Sequence, residues 1–179
     1  MIKAGDRIPS ATLREVKESG PRETTTDAFF KGRKMALFAV PGAFTSTCSV
    51  KHLPSFANNA DALRGKGVEA IACVATNDAS VMKAWGEHSG TVGKGTMLSD
   101  GNGDFARAVG LDKNLTAAGM GTRSSRYSMI VEDGVVKALN VEDKPGVNVS
   151  GASTVLGEID EVCGLEPSAS GPATILKQI

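Results

Sequence analysis

Hydrophobic positions along the chain change period several times, and each change marks an element. Lys34 to Val40 is a short continuous apolar run closed by Pro41-Gly42, which predicts a buried strand ending in a loop. Apolar residues then recur every three or four positions, at Val50, Leu53, Phe56, Ala57, Ala60 and Leu63, before Gly65 and Gly67. This spacing predicts a helix from Thr47 to Arg64, kinked at Pro54, whose ring lacks an N–H and crowds the preceding turn. Val68 to Ala75 reads as a second strand, and Asn77-Asp78 opens a helix through Val81, Met82, Trp85 and His88. Thr96 to Leu98 gives a third strand and Phe105 to Val109 continues the alternation. After a loop over Thr116 to Thr122, Tyr127–Val131 and Val135–Val141 flank Glu132-Asp133-Gly134, a hairpin signal. Ala152 to Val162 is a last helix, stopped by Gly164, and Pro167 to Ile179 reads as a surface tail. The order implies an α/β fold with a central mixed β-sheet and helices on both faces.

Composition narrows the class. A length of 179 residues suggests one domain over residues 1–179, and 41% hydrophobic residues suffice for a core, which excludes intrinsic disorder. Twenty basic residues against twenty acidic ones argue against nucleic acid or an anionic membrane surface, which select clustered Lys and Arg. The longest apolar stretch, Met35 to Phe44, is interrupted at Pro41-Gly42 and falls short of a membrane span. No secretory pattern is visible in the first ten residues, so a cytoplasmic address is expected. Cys48, Cys73 and Cys163 lack any C-x-x-C spacing, which fits neither a disulfide framework nor a structural zinc site; reduced thiols and no metal are expected. Asp100 to Asp104 faintly echoes a calcium loop, but Phe105 and Leu111 stand where Gly and Glu are required, so it reads as a turn and helix cap. Gly119-x-Gly121 lacks the context of a nucleotide loop.

The chemically informative segment is Pro41-Gly42-Ala43-Phe44-Thr45-Ser46-Thr47-Cys48, which places a cysteine in the first turn of a helix after a strand and loop. Unpaired N–H groups and the positive end of the helix dipole favour thiolate there. An ordinary cysteine is only a few per cent ionised at pH 7; a fall of about two pKa units, or ~2.7 kcal/mol, would make it roughly three-quarters ionised. A helix terminus supplies ~0.3–2 kcal/mol, so a fixed cation is also needed. Arg126 and Arg123 compete for that role, with Arg126 favoured.

The segment resembles the peroxiredoxin family, and more closely its type II branch. Pro41, Thr45 and Cys48 fit the pattern Pro-x-x-x-Thr/Ser-x-x-Cys. His52-Leu53-Pro54-Ser55-Phe56, Asn77-Asp78 with Ala84-Trp85, and Gly121-Thr122-Arg123 with Arg126-Tyr127 match further type II runs, over about residues 3–163. The resemblance implies a thioredoxin-like fold and a thiol peroxidase acting on hydrogen peroxide and alkyl hydroperoxides. It implies that Cys48 is the nucleophile oxidised to a sulfenic acid, that Thr45 hydrogen-bonds peroxide and thiolate, and that Pro41 shields the sulfenate. Arg126 would face the sulfur, with the amides of Thr47 and Cys48 completing the donors, and Phe44 would join the pocket rim. Ser46 stands where many relatives have proline, which costs loop rigidity and keeps the backbone path.

Resolution of the sulfenic acid is less sharply written. Animal-type relatives carry a second cysteine in the loop after the hairpin, where this chain reads Pro145-Gly146-Val147-Asn148-Val149-Ser150. Plant-like relatives place it in the strand after the first helix, which matches Cys73, although the neighbours Ile71, Ala72 and Val74 suggest burial. Cys163 has nothing around it that favours the anion. The preferred route is an external thiol, glutathione with or without glutaredoxin, thioredoxin being the alternative reducing partner, with no bound cofactor; the resemblance implies a homodimer. Two other readings stand beside it. One is a cysteine hydrolase using Cys48 and His52, four residues apart on one helical face; the other is a non-catalytic redox-sensing or chaperone protein using Phe44 and Trp85. Trp85 and Phe44 are otherwise pocket rim, dimer contact or core.

Overall fold

The computed structural model describes residues 1–162; Cys163, the helix stop at Gly164 and the tail Pro167–Ile179 lie outside the described residues. The chain begins with a hairpin, β1 (Thr12–Lys17) and β2 (Gly20–Thr25), then α1 (Thr26–Phe30) and β3 (Lys34–Ala39). A π-helical turn over Cys48–His52 leads into α2 (Leu53–Asn58) and α3 (Ala60–Gly65). β4 (Ala70–Ala75), α4 (Ala79–His88), β5 (Thr96–Ser99) and α5 (Asp104–Ala108) follow. A short antiparallel pair, β6 (Asp112–Asn114) and β7 (Thr122–Ser124), precedes the hairpin β8 (Tyr127–Glu132) and β9 (Val135–Val141), and then α6 (Ala152–Val162).

Seven strands form one sheet in the order β2-β1-β5-β4-β3-β8-β9. β3, β4 and β5 run parallel, while β1 and β8 pair antiparallel to their neighbours, so the sheet is mixed as expected. The unbroken apolar run of β3 follows from its central place. Successive side chains point to opposite faces: Ala36, Phe38 and Val40 enter one core, and Met35, Leu37 and Ala39 the other. The first core is closed by Phe56 and Leu63 of α2 and α3, Trp85 of α4 and Val155 of α6; the second by Phe29 and Phe30 of α1 and Phe105 of α5. Both faces are thus covered, the arrangement under which strands lose hydrophobic alternation.

Three features depart from the sequence reading. The single helix over Thr47 to Arg64 is three pieces. Pro54 has no N–H for the carbonyl four residues earlier, and the chain widens just before it, so that Leu53 N–H reaches the Cys48 carbonyl. A second break falls at Asn59, whose side-chain amide donates to the Ser55 carbonyl at 2.8 Å and competes with the helical ladder. The β1–β2 hairpin is absent from the hydrophobic pattern because β2 is an edge strand with little buried surface. The loop Thr116–Thr122 holds a 3-10 turn (Thr116–Ala118) and ends inside β7.

Candidate active site

Cys48 lies in the helical start where it was expected. Ser49 N–H donates to the Thr45 carbonyl at 3.0 Å, which opens the helical ladder and leaves Ser46, Thr47 and Cys48 in the first turn, where N–H groups have no carbonyl within the helix. The loop between β3 and this turn is tied down by side chains. Ala43 N–H donates to Asn77 Oδ1 at 2.8 Å, and Thr45 Oγ1 donates to the Gly42 carbonyl at 2.8 Å instead of capping the helix. Arg123 donates through Nε to the Met120 carbonyl at 2.8 Å and reaches the Pro41 carbonyl through Nη1 at 3.5 Å. Space is tight: a Cβ on Gly42 would stand 3.1 Å from Thr45 Cγ2 and 3.3 Å from Met120 Cε, so any larger residue would press those side chains back by a few tenths of an ångström. Phe44, with φ 62°, turns a half-exposed ring onto His88, the ring centroids 5.7 Å apart.

Arg126, just before β8, reaches the same point from the sheet. Its Nη2 donates to Cys48 Sγ at 3.1 Å and its Nη1 contacts His52 Nδ1 at 3.1 Å. A guanidinium can only donate, so the sulfur is the acceptor of this bond. Of the two arginines, Arg126 is therefore the one at the sulfur, and Arg123 holds the proline loop.

His52 is fully buried, and its Nε2 lies 2.9 Å from the Ser150 carbonyl. The carbonyl can only accept, so Nε2 carries the proton and Nδ1 receives the Arg126 N–H. Both nitrogens are engaged, and neither is left to take a proton from Cys48. The Cys48–His52 hydrolase dyad is thereby corrected: an arginine occupies the position the base would need. Burial lowers the His52 pKa to about 4, with Arg126 pushing the same way against the Ser150 carbonyl and Glu142. The unfolded chain binds this proton from about pH 6.5 downward while the folded one refuses it until about pH 4, so stability falls as pH drops through that window, by about 3 kcal/mol in all. Urea midpoints at pH 7 and pH 4 are expected to differ less in His52→Gln than in the parent; equal pH dependence in both chains would refute this assignment.

Glu142, just past β9, supports the Ser150 segment. Its Oε1 accepts from the amides of Asn148, Val149 and Ser150 at 2.7, 2.8 and 2.8 Å and from the Ser150 hydroxyl at 2.7 Å. Partial burial would raise this carboxyl, but those donors outweigh it and hold its pKa at about 2.

The other singled-out residues fall into place around this site. Cys73 sits on β4 between Phe38 and Met97 of the neighbouring strands, free and buried, and burial pushes its thiol well up. Trp85 is core: fully buried, with its indole N–H donating to Ser49 Oγ at 3.0 Å, which removes it from any exposed rim or docking surface. Asp100 caps α5, accepting from Phe105 and Ala106 amides at 3.0 and 2.9 Å. Among the described residues no group of His, Cys, Asp and Glu is placed to hold a metal ion, and no helix is long and apolar enough to cross a membrane. Sequence reasoning missed Asn77, Ser49, Glu142 and Ser150 as parts of this site. Asn77 left a signal, since Asp78 alone caps α4 by accepting Val81 N–H, so one of the two adjacent side chains was spare. The others act across the fold and leave no local trace.

Known proteins resemble this chain over most of its length. Residues 3–156 match the Redoxin family model. The chain is 48% identical over 160 residues to the chloroplastic peroxiredoxin-2E-2 of Oryza sativa subsp. japonica, spanning 87% of this chain and 71% of that one. It is 38% identical to peroxiredoxin-2B of Arabidopsis thaliana over 87% of this chain and 96% of that one. Among solved structures, reduced Prx3 in complex with hydrogen peroxide from Vibrio vulnificus superposes with a TM-score of 0.85 at 46% identity, covering 89% of this chain and 99% of that one. The mixed seven-stranded sheet with helices on both faces is thus the thioredoxin-like fold of these proteins, and the chain belongs to the redoxin family as a type II peroxiredoxin, a thiol peroxidase.

Proposed function

We propose that Cys48 is the peroxide-reducing residue and that hydrogen peroxide and alkyl hydroperoxides are its substrates. The observation that carries this reading is the 3.1 Å contact from Arg126 Nη2 to Cys48 Sγ in a helical first turn. The thiolate attacks one peroxide oxygen; an S–O bond forms, the O–O bond breaks, and the leaving hydroxide or alkoxide takes up a proton. Arg126 and the first-turn amides of Thr47 and Cys48 stabilise the charge developing on the departing oxygen. The Thr45 hydroxyl donates to the Gly42 carbonyl, so its oxygen is left to accept a peroxide O–H and orient the substrate. Pro41 and Phe44 line the entry and limit access of water and bulk oxidant. Thr45→Val should lower kcat/KM for hydrogen peroxide ~10–100-fold, measured by the second-order rate of Cys48 oxidation; a change under twofold would remove Thr45 from the mechanism.

Peroxiredoxins consume a thiol reductant, and we infer that here it is external, glutathione with or without glutaredoxin, working in a reducing compartment such as the cytoplasm on a homodimer. Two observations support this: Cys73 is buried with its thiol held protonated, and the segment Pro145–Ser150 contains no cysteine and is fastened to Glu142. The donor thiol displaces water from the sulfenic acid to give a mixed disulfide, and a second thiol releases Cys48. In the reduced state Cys48 has no exposed surface, so the donor meets it only after its surroundings open. Peroxide consumption with glutathione alone, with glutaredoxin added, and with thioredoxin, on the parent and on Cys73→Ser, tests this. Glutathione-supported turnover unaffected by Cys73→Ser is expected; turnover only with thioredoxin and lost in Cys73→Ser would assign resolution to Cys73. Light scattering at the mass of a monomer would overturn the homodimer.

A further inference from the structure

Arg126 contacts the sulfur through one terminal nitrogen, and its other terminal nitrogen is held by His52. This second contact has its own support. The His52 ring packs beside the Phe38–Phe56 pair, tilted against both with centroids 5.0 and 5.7 Å away, and those two phenyl rings are stacked on each other at 4.1 Å. Its far nitrogen is fixed by the Ser150 carbonyl, and Ser150 is in turn fixed through its amide and hydroxyl by Glu142. The Ala152 amide donates to Ser55 Oγ at 2.8 Å, which ties the same segment to α2.

We infer that Glu142, Ser150 and His52 form a chain of positioning residues that orients the Arg126 guanidinium on the Cys48 sulfur. The inference rests on the reading of Arg126 given above and goes beyond it. An arginine anchored at one terminal nitrogen swings about the rest of its side chain; anchored at two, its plane is set, and with it the direction of the N–H that meets the sulfur and the departing oxygen. His52 suits the role because its neutral form offers an acceptor to Arg126 and a donor to Ser150 in one rigid ring. A glutamine amide offers the same pair less rigidly, and leucine offers neither. The Glu142 carboxylate lies at the far end, bonded to the Ser150 amide and hydroxyl, while its own amide donates to the Arg126 carbonyl at 2.9 Å, a backbone bond that Glu142→Ala keeps; that variant therefore removes only the carboxylate's part in the chain.

Trp85, the only tryptophan, bonds Ser49 next to Cys48, so its fluorescence gives a stopped-flow signal for peroxide oxidation. His52→Leu is expected to slow that oxidation ~10–30-fold and to move the pH profile of Cys48 alkylation by iodoacetamide toward higher pH. His52→Gln should recover part of both, and Glu142→Ala should slow oxidation ~3–10-fold with the same sense of shift. The deciding comparison is a double-mutant cycle. If His52 acts through Arg126, the double variant His52→Leu/Arg126→Gln reacts no more slowly than Arg126→Gln alone. If the two losses multiply, the positioning chain is refuted while the role of Arg126 stands; if Arg126→Gln itself has no effect, the reading of the site fails first. Should His52→Leu not fold, the same cycle run with Glu142→Ala against Arg126→Gln decides the matter. A Glu142→Ala chain with parental rate and parental alkylation profile removes Glu142 from the chain.

Discussion

Substitution of Arg126 by glutamine is expected to slow the reaction of Cys48 with hydrogen peroxide by ~10²–10³-fold, the loss that follows removal of one preorganised donor from a developing oxyanion. Two contributions disappear together. The guanidinium no longer donates to the buried Sγ at 3.1 Å, and no fixed charge faces the leaving oxygen. Lysine at this position should recover only part of the rate, because a single ammonium nitrogen lacks the planar fork that meets Sγ and His52 Nδ1 through two separate nitrogens. The measurement is stopped-flow oxidation of the reduced protein at pH 7, with iodoacetamide alkylation at pH 6 as a peroxide-independent check. A rate within threefold of the parent would show that the arginine contact is incidental.

Truncation of Trp85 to alanine is expected to lower stability by about 3–5 kcal/mol, the range for removing a large aromatic side chain from a core. Trp85 has no exposed surface and lies in the cluster that joins α2, α3, α4 and α6 to the sheet, so its neighbours cannot collapse into the space without moving several elements. The loss also strikes the site, since the indole N–H is the partner of Ser49, one residue after Cys48. Trp85→Phe separates the two effects: it keeps most of the packing, forfeits the bond to Ser49 at about 1 kcal/mol, and should slow oxidation more than its stability loss suggests. Urea unfolding at constant m gives the first number and the peroxide rate the second. A midpoint for Trp85→Ala within 1 kcal/mol of the parent would contradict its place in the core.

The sequence carried the sheet core and the sulfur more fully than their supports. β3, β4, β8 and β9 were readable because burial on one or both faces writes itself into continuous or alternating apolar runs, and Cys48 because its environment is local, a strand, a loop and a helical first turn. The β1–β2 hairpin was hidden because an edge strand buries little and so carries no pattern. The division of the long helix was half visible: Pro54 announced a disturbance, but the exit at Asn59 depends on a side-chain amide taking the Ser55 carbonyl, which periodicity does not encode. His52 shows the limit most clearly. Its spacing from Cys48 was read correctly as one helical face, yet the inference of a dyad failed because Arg126, 74 residues away, fills the space between them. Trp85 stands open in the sequence between pocket rim, dimer contact and core, and its burial and the bond to Ser49 decide for core.

The central claim is that peroxide oxygen is transferred to the Cys48 sulfur. Intact-mass and peptide analysis of the fully reduced protein after one equivalent of hydrogen peroxide at pH 7, trapped with dimedone, tests it most directly. One adduct per chain on the peptide carrying Cys48, with Cys73 unmodified and no adduct in Cys48→Ser, is the predicted result; an adduct on Cys73, or none on Cys48, would contradict it.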